Sequence, residues 1–314
     1  YYPGQLGAEA RGLMRRIVVF DGARAGETAW DDFLAGGREV SDAEQKAREA
    51  DIGPDDLCDM LFTSGTTGHP KGVMYGHRQC LMAIDAWATR VGIRRGDRVL
   101  VIPPFFHAFG YRSGAIVSVM RGATLIPHLT FDPEEILKRV ERERVSVIPG
   151  PPAIFHGMLQ HPKMAKFDRS SLRLGITGGA VVPATLIRRM REELGFAGVV
   201  NGYGLTECGG YGTMCSADDS DEQIANTAGK PFPDTEVRIM GEDGRLLPDG
   251  ERGEVVLRGY FVMKGYFNDP EATAATIDRD GWLHSGDIGY FDGNGDLRIE
   301  DRLKDMYITG GFNC

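Results

Sequence analysis

Between Phe62 and Gly72 the chain reads FTSGTTGHPKG. Thr63, Ser64, Thr66 and Thr67 bring hydroxyls, Gly65, Gly68 and Gly72 lack a Cβ, and Lys71 brings a positive charge. Glycines admit left-handed backbone, so successive N–H groups can turn inward as a nest for an anion. The hydroxyls add donors and the ammonium adds charge. Such a set of groups is suited to phosphate. It is not the GxxxxGK[ST] loop, because Pro70 precedes Lys71 and Gly72 stands where Ser or Thr would follow. The plain alternative, an exposed flexible turn, rarely gathers so many donors around one lysine.

A loop of this kind needs a strand to launch it, and the apolar run DMLFT (Asp59–Thr63) leads into it. Upstream, RRIVVFDG (Arg15–Gly22) reads as a buried strand, and 23–56 as polar surface. Downstream, 78–90 reads as a helix, RVLVIPP (Arg98–Pro104) and ATLIPH as strands, with a helical stretch to Met120 between them. DPEEILKRVERERV (Asp132–Val145) has a cap at Asp132 and Pro133 at the first helical position. VSVIPGPP, LRLGITGGA and AGVVNGYGLTE repeat one pattern of apolar strand, turn and next element, which predicts α/β layers. After about residue 226 short strands alternate with GEDG, PDGERG and DGNG, predicting a small antiparallel barrel or sheet. The charged run IRRMREEL (Ile187–Leu194) reads as a solvated helix face.

A formal charge of −9 argues against a general nucleic-acid binder, while leaving room for a small anion held by local fields. The cysteines are Cys58, Cys80, Cys208, Cys215 and Cys314; none forms CxxC, which suits a reducing cytoplasm, and without close Cys/His pairs zinc is not expected. No apolar run approaches the ~18 residues of a membrane span.

The phosphate-type loop resembles the signature of the adenylate-forming superfamily, which contains acyl-CoA synthetases, luciferases and peptide-synthetase adenylation domains. Further motifs follow in the family's order. NGYGLTE (Asn201–Glu207) resembles the motif at AMP, the reacting carboxylate and Mg²⁺. WLHSGDIG (Trp282–Gly289) resembles the ribose motif, EDRLKDMYITGGFN (Glu300–Asn313) the hinge, and PPFFHAFG (Pro103–Gly110) the acyl-pocket motif of CoA ligases. The chain is identified on these motifs as a member of the acyl-CoA synthetase family.

The resemblance implies a layered αβαβα large domain, made of two packed α/β subdomains plus a small distorted β-barrel. Its divisions would be 1–95 with the phosphate loop, 96–225, the barrel at 226–300, and 301–314 as hinge around Lys304. It implies ATP or AMP, Mg²⁺ and coenzyme A as co-substrate. Thr63, Ser64, Gly65, Thr66, Thr67, Gly68 and Lys71 would hold the β- and γ-phosphates. Gly178, Gly179 and Ala180 would form one wall of the adenine slot; Asn201, Gly202, Tyr203 and Gly204 would form the other, with Tyr203 stacked on the base. Thr206 would donate to the α-phosphate and Glu207 would ligate Mg²⁺. Asp287 would accept from the ribose diol and Arg302 would reach the same ribose. His107 would line the passage from acyl pocket to CoA, with Cys208, Gly209 and Gly210 at the pocket floor. Taken singly, Glu207 also fits a solvated carboxylate, Asp287 a turn, Arg302 a surface pair with Glu300 or Asp301, and His107 a packed core residue. Cys208 is not expected to act as a nucleophile.

The reaction so implied turns a carboxylate and ATP into acyl-AMP and pyrophosphate, then moves the acyl group to CoA. A complete member also has more chain before the loop, and a C-terminal domain bearing a catalytic lysine after the hinge. The expectation is therefore a fragment that binds nucleotide and turns over poorly. Two rivals remain. A fatty acyl-AMP ligase would pass the acyl group to a carrier protein, but the insertion typical of that group is not recognisable between Glu207 and His284. A non-catalytic nucleotide-binding homologue would show degraded motifs, and these are intact. The acid itself, whether medium, long or bulky and ring-bearing, is not readable, and a homodimer is compatible with the resemblance.

Overall fold

The computed structural model describes residues 16–63, 70–180 and 182–302, with the backbone of 308–309 and 312–313. The chain divides into two compact units, Tyr1–Gly53 and Pro54–Cys314.

In the first unit β1 (Val18–Val19) pairs in parallel with β2 (Thr28–Ala29). α1 (Trp30–Gly36) and α2 (Asp42–Ala50) follow and bury no residue, which the polar composition of α2 predicts, whereas α1 leaves Trp30, Phe33 and Leu34 exposed. Ser41 caps α2 by accepting from the Glu44 N–H. With Val19 the only buried one among the described residues of this unit, the strand predicted from RRIVVFDG has little core to hold it and covers two residues.

The second unit starts with the antiparallel strands β3 (Leu57–Thr63) and β4 (Lys71–Gly76), which the Gly-rich segment connects in sequence. Its register slips at Cys58, with Leu57 opposite Gly76 and Asp59 already opposite Tyr75. α3 (His77–Val91) buries Cys80, Ala83, Ile84, Trp87, Ala88 and Val91, the stripe a 3.6-residue period dictates. Next come β5 (Arg98–Val101), α4 (Ala108–Gly110), a π-helical turn at Tyr111–Ile116, and α5 (Val117–Arg121). They lead to β6 (Thr124–Pro127) and α6 (Pro133–Glu143). Asp132 accepts from the N–H groups of Glu134 and Glu135, the cap predicted from the sequence. β7 (Val147–Pro149), α7 (Pro152–Gln160), β8 (Leu174–Gly178), α8 (Ala184–Arg189) and β9 (Gly198–Tyr203) complete the alternation.

These strands lie parallel in the order β6-β5-β7-β8-β9. The sheet then gains two antiparallel strands, β10 (Thr213–Met214) and β11 (Lys230–Pro231), with α9 (Asp221–Asn226) between them in sequence. Val99 and Val101 belong to the apolar cluster that contains Trp87 of α3, while Leu100 between them joins Ile136 and Phe155 on the other face. Both faces are therefore buried, which is why these strands read as continuous apolar runs.

The antiparallel region comprises β12 (Thr235–Met240), β13 (Leu246–Leu247), β14 (Gly253–Gly259), β16 (Leu283–Phe291) and β17 (Leu297–Arg302), in the order β13-β12-β14-β16-β17. Hydrogen bonds from Ala228 N to Leu297 O (2.7 Å) and from Leu297 N to Gly229 O (2.8 Å) bring its last strand back against the chain entering β11. β15 (Gly265–Tyr266) leaves this sheet and adds to β4 instead, placing Tyr266 opposite Val73. α10 (Pro270–Thr276) follows it, and β18 (Ile308–Thr309) pairs with β19 (Phe312–Asn313). Among the described residues no helix is long and apolar enough to cross a membrane.

Candidate functional site

The C-terminal ends of β8 and β9 lie side by side, with Gly178 opposite Gly202. A Cβ on Gly178 would come within 2.8 Å of the Gly202 carbonyl oxygen, so the close approach requires glycine there. β8 runs out into Gly179 and Ala180, and β9 ends at Tyr203 before Gly204. In open α/β sheets ligands seat beyond this end of the strands.

The Tyr203 hydroxyl donates to Asp287 Oδ2 at 2.6 Å. Burial first, and then the Asp287 carboxylate, push the Tyr203 phenol well above its ordinary range, so it stays a neutral donor. Asp287 is 1% exposed, and its N–H donates to Ser285 Oγ at 3.0 Å. In the β16–β17 ladder Asp287 stands opposite Arg302, whose side chain lies outside the described residues. Asn201 uses its amide differently: Nδ2 donates to the carbonyls of Ile224 (3.1 Å) and Thr227 (3.3 Å), tying β9 to the α9 segment.

Thr206, Glu207 and Cys208 form one 3₁₀ turn. The Tyr75 hydroxyl lies 2.9 Å from the Thr206 carbonyl and 3.2 Å from that of Phe261. The Met263 N–H donates to the Glu207 carbonyl at 2.9 Å. The Tyr266 hydroxyl donates to Glu207 Oε1 at 2.7 Å, and Lys71 Nζ sits 4.9 Å from the centre of the Tyr266 ring. Lys71 stands opposite Thr63 in the β3–β4 pairing, so β15 joins the foot of the Gly-rich loop to the Glu207 turn.

Behind that turn Arg112 is 1% exposed. Its Nη2 donates to Asp59 Oδ1 at 2.6 Å, and its guanidinium stacks 3.9 Å from the centre of the Tyr75 ring. Nη1 lies behind Gly209, where a Cβ would approach it to 2.8 Å and where φ is +73°. One buried cation thus touches β3, the tyrosine under Thr206 and the chain after Glu207.

His107 Nδ1 accepts from the Phe109 N–H at 3.2 Å, capping α4. The neutral ring therefore carries its proton on Nε2, and burial lowers its pKa, favouring that neutral form. Phe105, Phe106 and Tyr111 face Asp59–Phe62 across a cleft of about 370 Å³. Cys208 is fully buried and its thiol is pushed up to about 12 by burial, so it offers no thiolate.

The structure therefore brings Lys71 and Glu207 to one tyrosine, and Tyr203 to Asp287. It aligns Gly178 with Gly202, and places His107 beside the cleft-lining Phe105 and Phe106. Ser64, Gly65, Thr66, Thr67, Gly68 and Lys304, the residue expected at a hinge, lie outside the described residues. Sequence reasoning missed Tyr266, Tyr75, Asp59 and Arg112. Nothing in their neighbouring residues marks them as site residues, and only the strand pairing of β15 with β4 reveals why Tyr266 matters.

Comparison with known proteins gives the family. A family profile described as AMP-binding enzyme matches residues 8–267. A 3-[(3aS,4S,7aS)-7a-methyl-1,5-dioxo-octahydro-1H-inden-4-yl]propanoyl:CoA ligase of Mycobacterium tuberculosis is 51% identical over 98% of this chain and 60% of its own length. A ligase of the same name from Rhodococcus jostii is 47% identical over 94% of this chain and 56% of its own length. The inhibitor-bound N-terminal domain of FACL13 from M. tuberculosis superposes with a TM-score of 0.78 at 38% identity, covering 88% of this chain and 67% of that one. The chain thus spans between half and two thirds of the length of the two curated ligases.

Proposed function

The chain belongs to the AMP-binding enzyme family, and on that premise we propose that it carries the nucleotide and acyl sites of an ATP-dependent acyl-CoA ligase. The protein activates a carboxylic acid as acyl-AMP with release of pyrophosphate, then transfers the acyl group to CoA. The observation that carries this reading is the meeting of Tyr203 with Asp287 at the C-terminal end of the parallel sheet. The glycine-rich strand ends there leave the backbone without side chains for a base to approach, and a carboxylate held by a neutral phenol suits a ribose diol.

Each remaining residue has a role in charge or position. Thr63 and Lys71 flank the Gly-rich segment, and with Ser64, Gly65, Thr66, Thr67 and Gly68 they hold the β- and γ-phosphates. Thr206 positions the α-phosphate for in-line attack by the acid's carboxylate. Asp287 and Arg302 hold the ribose. His107, neutral and beside the aromatic cleft, borders the path along which CoA reaches the acyl carbon. Glu207 fits a hard divalent cation: Tyr266 engages Oε1, and Oε2 is the oxygen it leaves for a ligand. Mg²⁺ bound there would neutralise charge that grows on the phosphate oxygens. The cysteines form no CxxC, and the four among the described residues are free thiols, which suits a reducing cytoplasm.

For the acid, we take the propanoyl side chain on a fused-ring dione named for both ligase relatives. The test is CoA-dependent AMP release and acyl-CoA formation by the full-length protein. Its substrate panel comprises that bicyclic propanoate, aromatic propenoates and straight-chain acids. Preferred turnover of the bicyclic acid supports the reading. Pyrophosphate release with accumulating acyl-AMP and no acyl-CoA would point to an acyl-AMP ligase, and no pyrophosphate release with any acid would overturn the ligase assignment.

A further inference from the structure

We propose that Cys58, Asp59 and Cys80 form a seat for a thiophilic divalent cation of the zinc class. Among the described residues these three can each offer one atom, two Sγ and one carboxylate oxygen, all within 4.8 Å of one another. Sequence spacing conceals the cluster, since Cys58 and Cys80 are on different elements; the fold assembles it. Consecutive side chains of a regular strand point to opposite faces. The register slip at Cys58 relaxes that rule, and both Cys58 and Asp59 reach Cys80 in the first turn of α3.

The carboxylate is already divided between two tasks. Arg112 Nη2 holds Oδ1 at 2.6 Å, and Oδ2 lies 3.5 Å from Cys80 Sγ. An outer hydrogen-bond partner of this kind commonly orients a metal-ligating carboxylate. Charge also balances. Two thiolates, one carboxylate and one guanidinium sum to two negative charges, which a dication neutralises. With no cation, burial raises both thiols, Cys80 to about 12, and the pair is protonated. Binding then reads M²⁺ + 2 Cys–SH → M(S–Cys)₂ + 2 H⁺, with both protons passing to buffer. Asp59 lines the cleft of about 370 Å³, and Cys58 is half-buried, so cation and a completing water have a route in. Sulfur ligands select zinc or cadmium over magnesium. The seat therefore differs in kind from the hard oxygen site at Glu207, and it does not rest on the ligase reading.

The probe is Cd²⁺ alone, titrated into the reduced protein without nucleotide and followed by the ultraviolet thiolate-to-cadmium band. The band should saturate at one equivalent and vanish in Cys58→Ser and in Cys80→Ser, with folding checked by thermal melts. Should Cys80→Ser fail to fold, the half-buried Cys58→Ser decides alone. Arg112→Lys keeps all three ligands but loosens Asp59, and should weaken Zn²⁺ affinity, measured against a competing chelator, by about 10–100-fold. The proposal is overturned if the wild type gives no band, or if the band survives in the Cys58→Ser/Cys80→Ser double variant. It is equally overturned if the reduced protein takes up no cadmium but loses two hydrogens per chain in air, which would make the pair a disulfide.

Discussion

Tyr266 donates its hydroxyl to Glu207 Oε1 at 2.7 Å while its ring carries Lys71 Nζ at 4.9 Å from the centre. One side chain therefore fixes the distance between the lysine at the Gly-rich loop and the carboxylate after β9. It comes from β15, a strand detached from its own sheet and paired with β4. Were the two charges free to meet, they would neutralise one another and be lost to the phosphate and cation proposed for them.

The first prediction concerns that tyrosine. Tyr266→Phe keeps the ring under Lys71 and removes the donor to Glu207. A hydrogen bond to a charged group contributes about 1.5–3 kcal/mol. If the loss falls in the transition state, ATP–pyrophosphate exchange at saturating ATP slows roughly 10- to 100-fold. The melting temperature should move little. Exchange at the wild-type rate would mean that Glu207 does not need this hold.

The second separates phosphate from ribose. Lys71→Ala should weaken ATP more than AMP, because AMP lacks the β- and γ-phosphates. Asp287→Ala should weaken both alike, because the ribose is common to them, by about 1.5–3 kcal/mol. Calorimetric titration of each variant with each nucleotide gives the comparison. The same ratio of ATP to AMP loss in both variants would remove the distinction.

The sequence made the α/β class, the cap at Asp132 and the order of motifs readable, because each is a local pattern. Glu207, Asp287 and Lys71 were legible as candidates because the strings around them are distinctive. What was hidden depends on pairing between distant segments. Nothing in the string around Arg112 marks it as the buried partner of Asp59, and a single-residue slip at Cys58 leaves no mark in composition. Asn201 was legible only as part of its motif; its hydrogen bonds to Ile224 and Thr227 show a structural task that no spacing announces.

The third prediction is a pH dependence at His107. Burial lowers its folded pKa below the unfolded value of about 6.5. The unfolded chain then binds the proton more readily, so the neutral ring stabilises the fold above pH ~6.5, and that contribution is lost as pH falls through the folded pKa. His128 shifts in the same direction, so a global melt mixes the two. Ring NMR resonances resolve them: His107 should titrate below an exposed histidine, and His107→Gln should remove its share of the acid-side loss. A His107 midpoint at or above about 6.5 would contradict the burial argument.

The last prediction tests the buried pair beneath the Glu207 turn. Arg112 and Asp59 have side-chain exposures of 1% and 8%, and they meet at 2.6 Å. Removing one partner leaves the other's charge in a poorly solvated place, which typically costs about 3–5 kcal/mol. Arg112→Met should therefore lower urea-unfolding stability by that order, and Asp59→Leu likewise. Combining them removes both charges at once, so the double variant should lose clearly less than the sum of the singles. Activity should not follow stability. The guanidinium also supports the Tyr75 ring, whose hydroxyl sits under the Thr206 carbonyl, and fills the space behind Gly209. A double variant with restored stability should then still exchange pyrophosphate slowly, because the turn bearing Thr206 and Glu207 has lost its backing. Additive stability losses would show that the pair is not coupled. Wild-type exchange in the double variant would confine Arg112 to the core and leave the turn held by Tyr75, Met263 and Tyr266 alone.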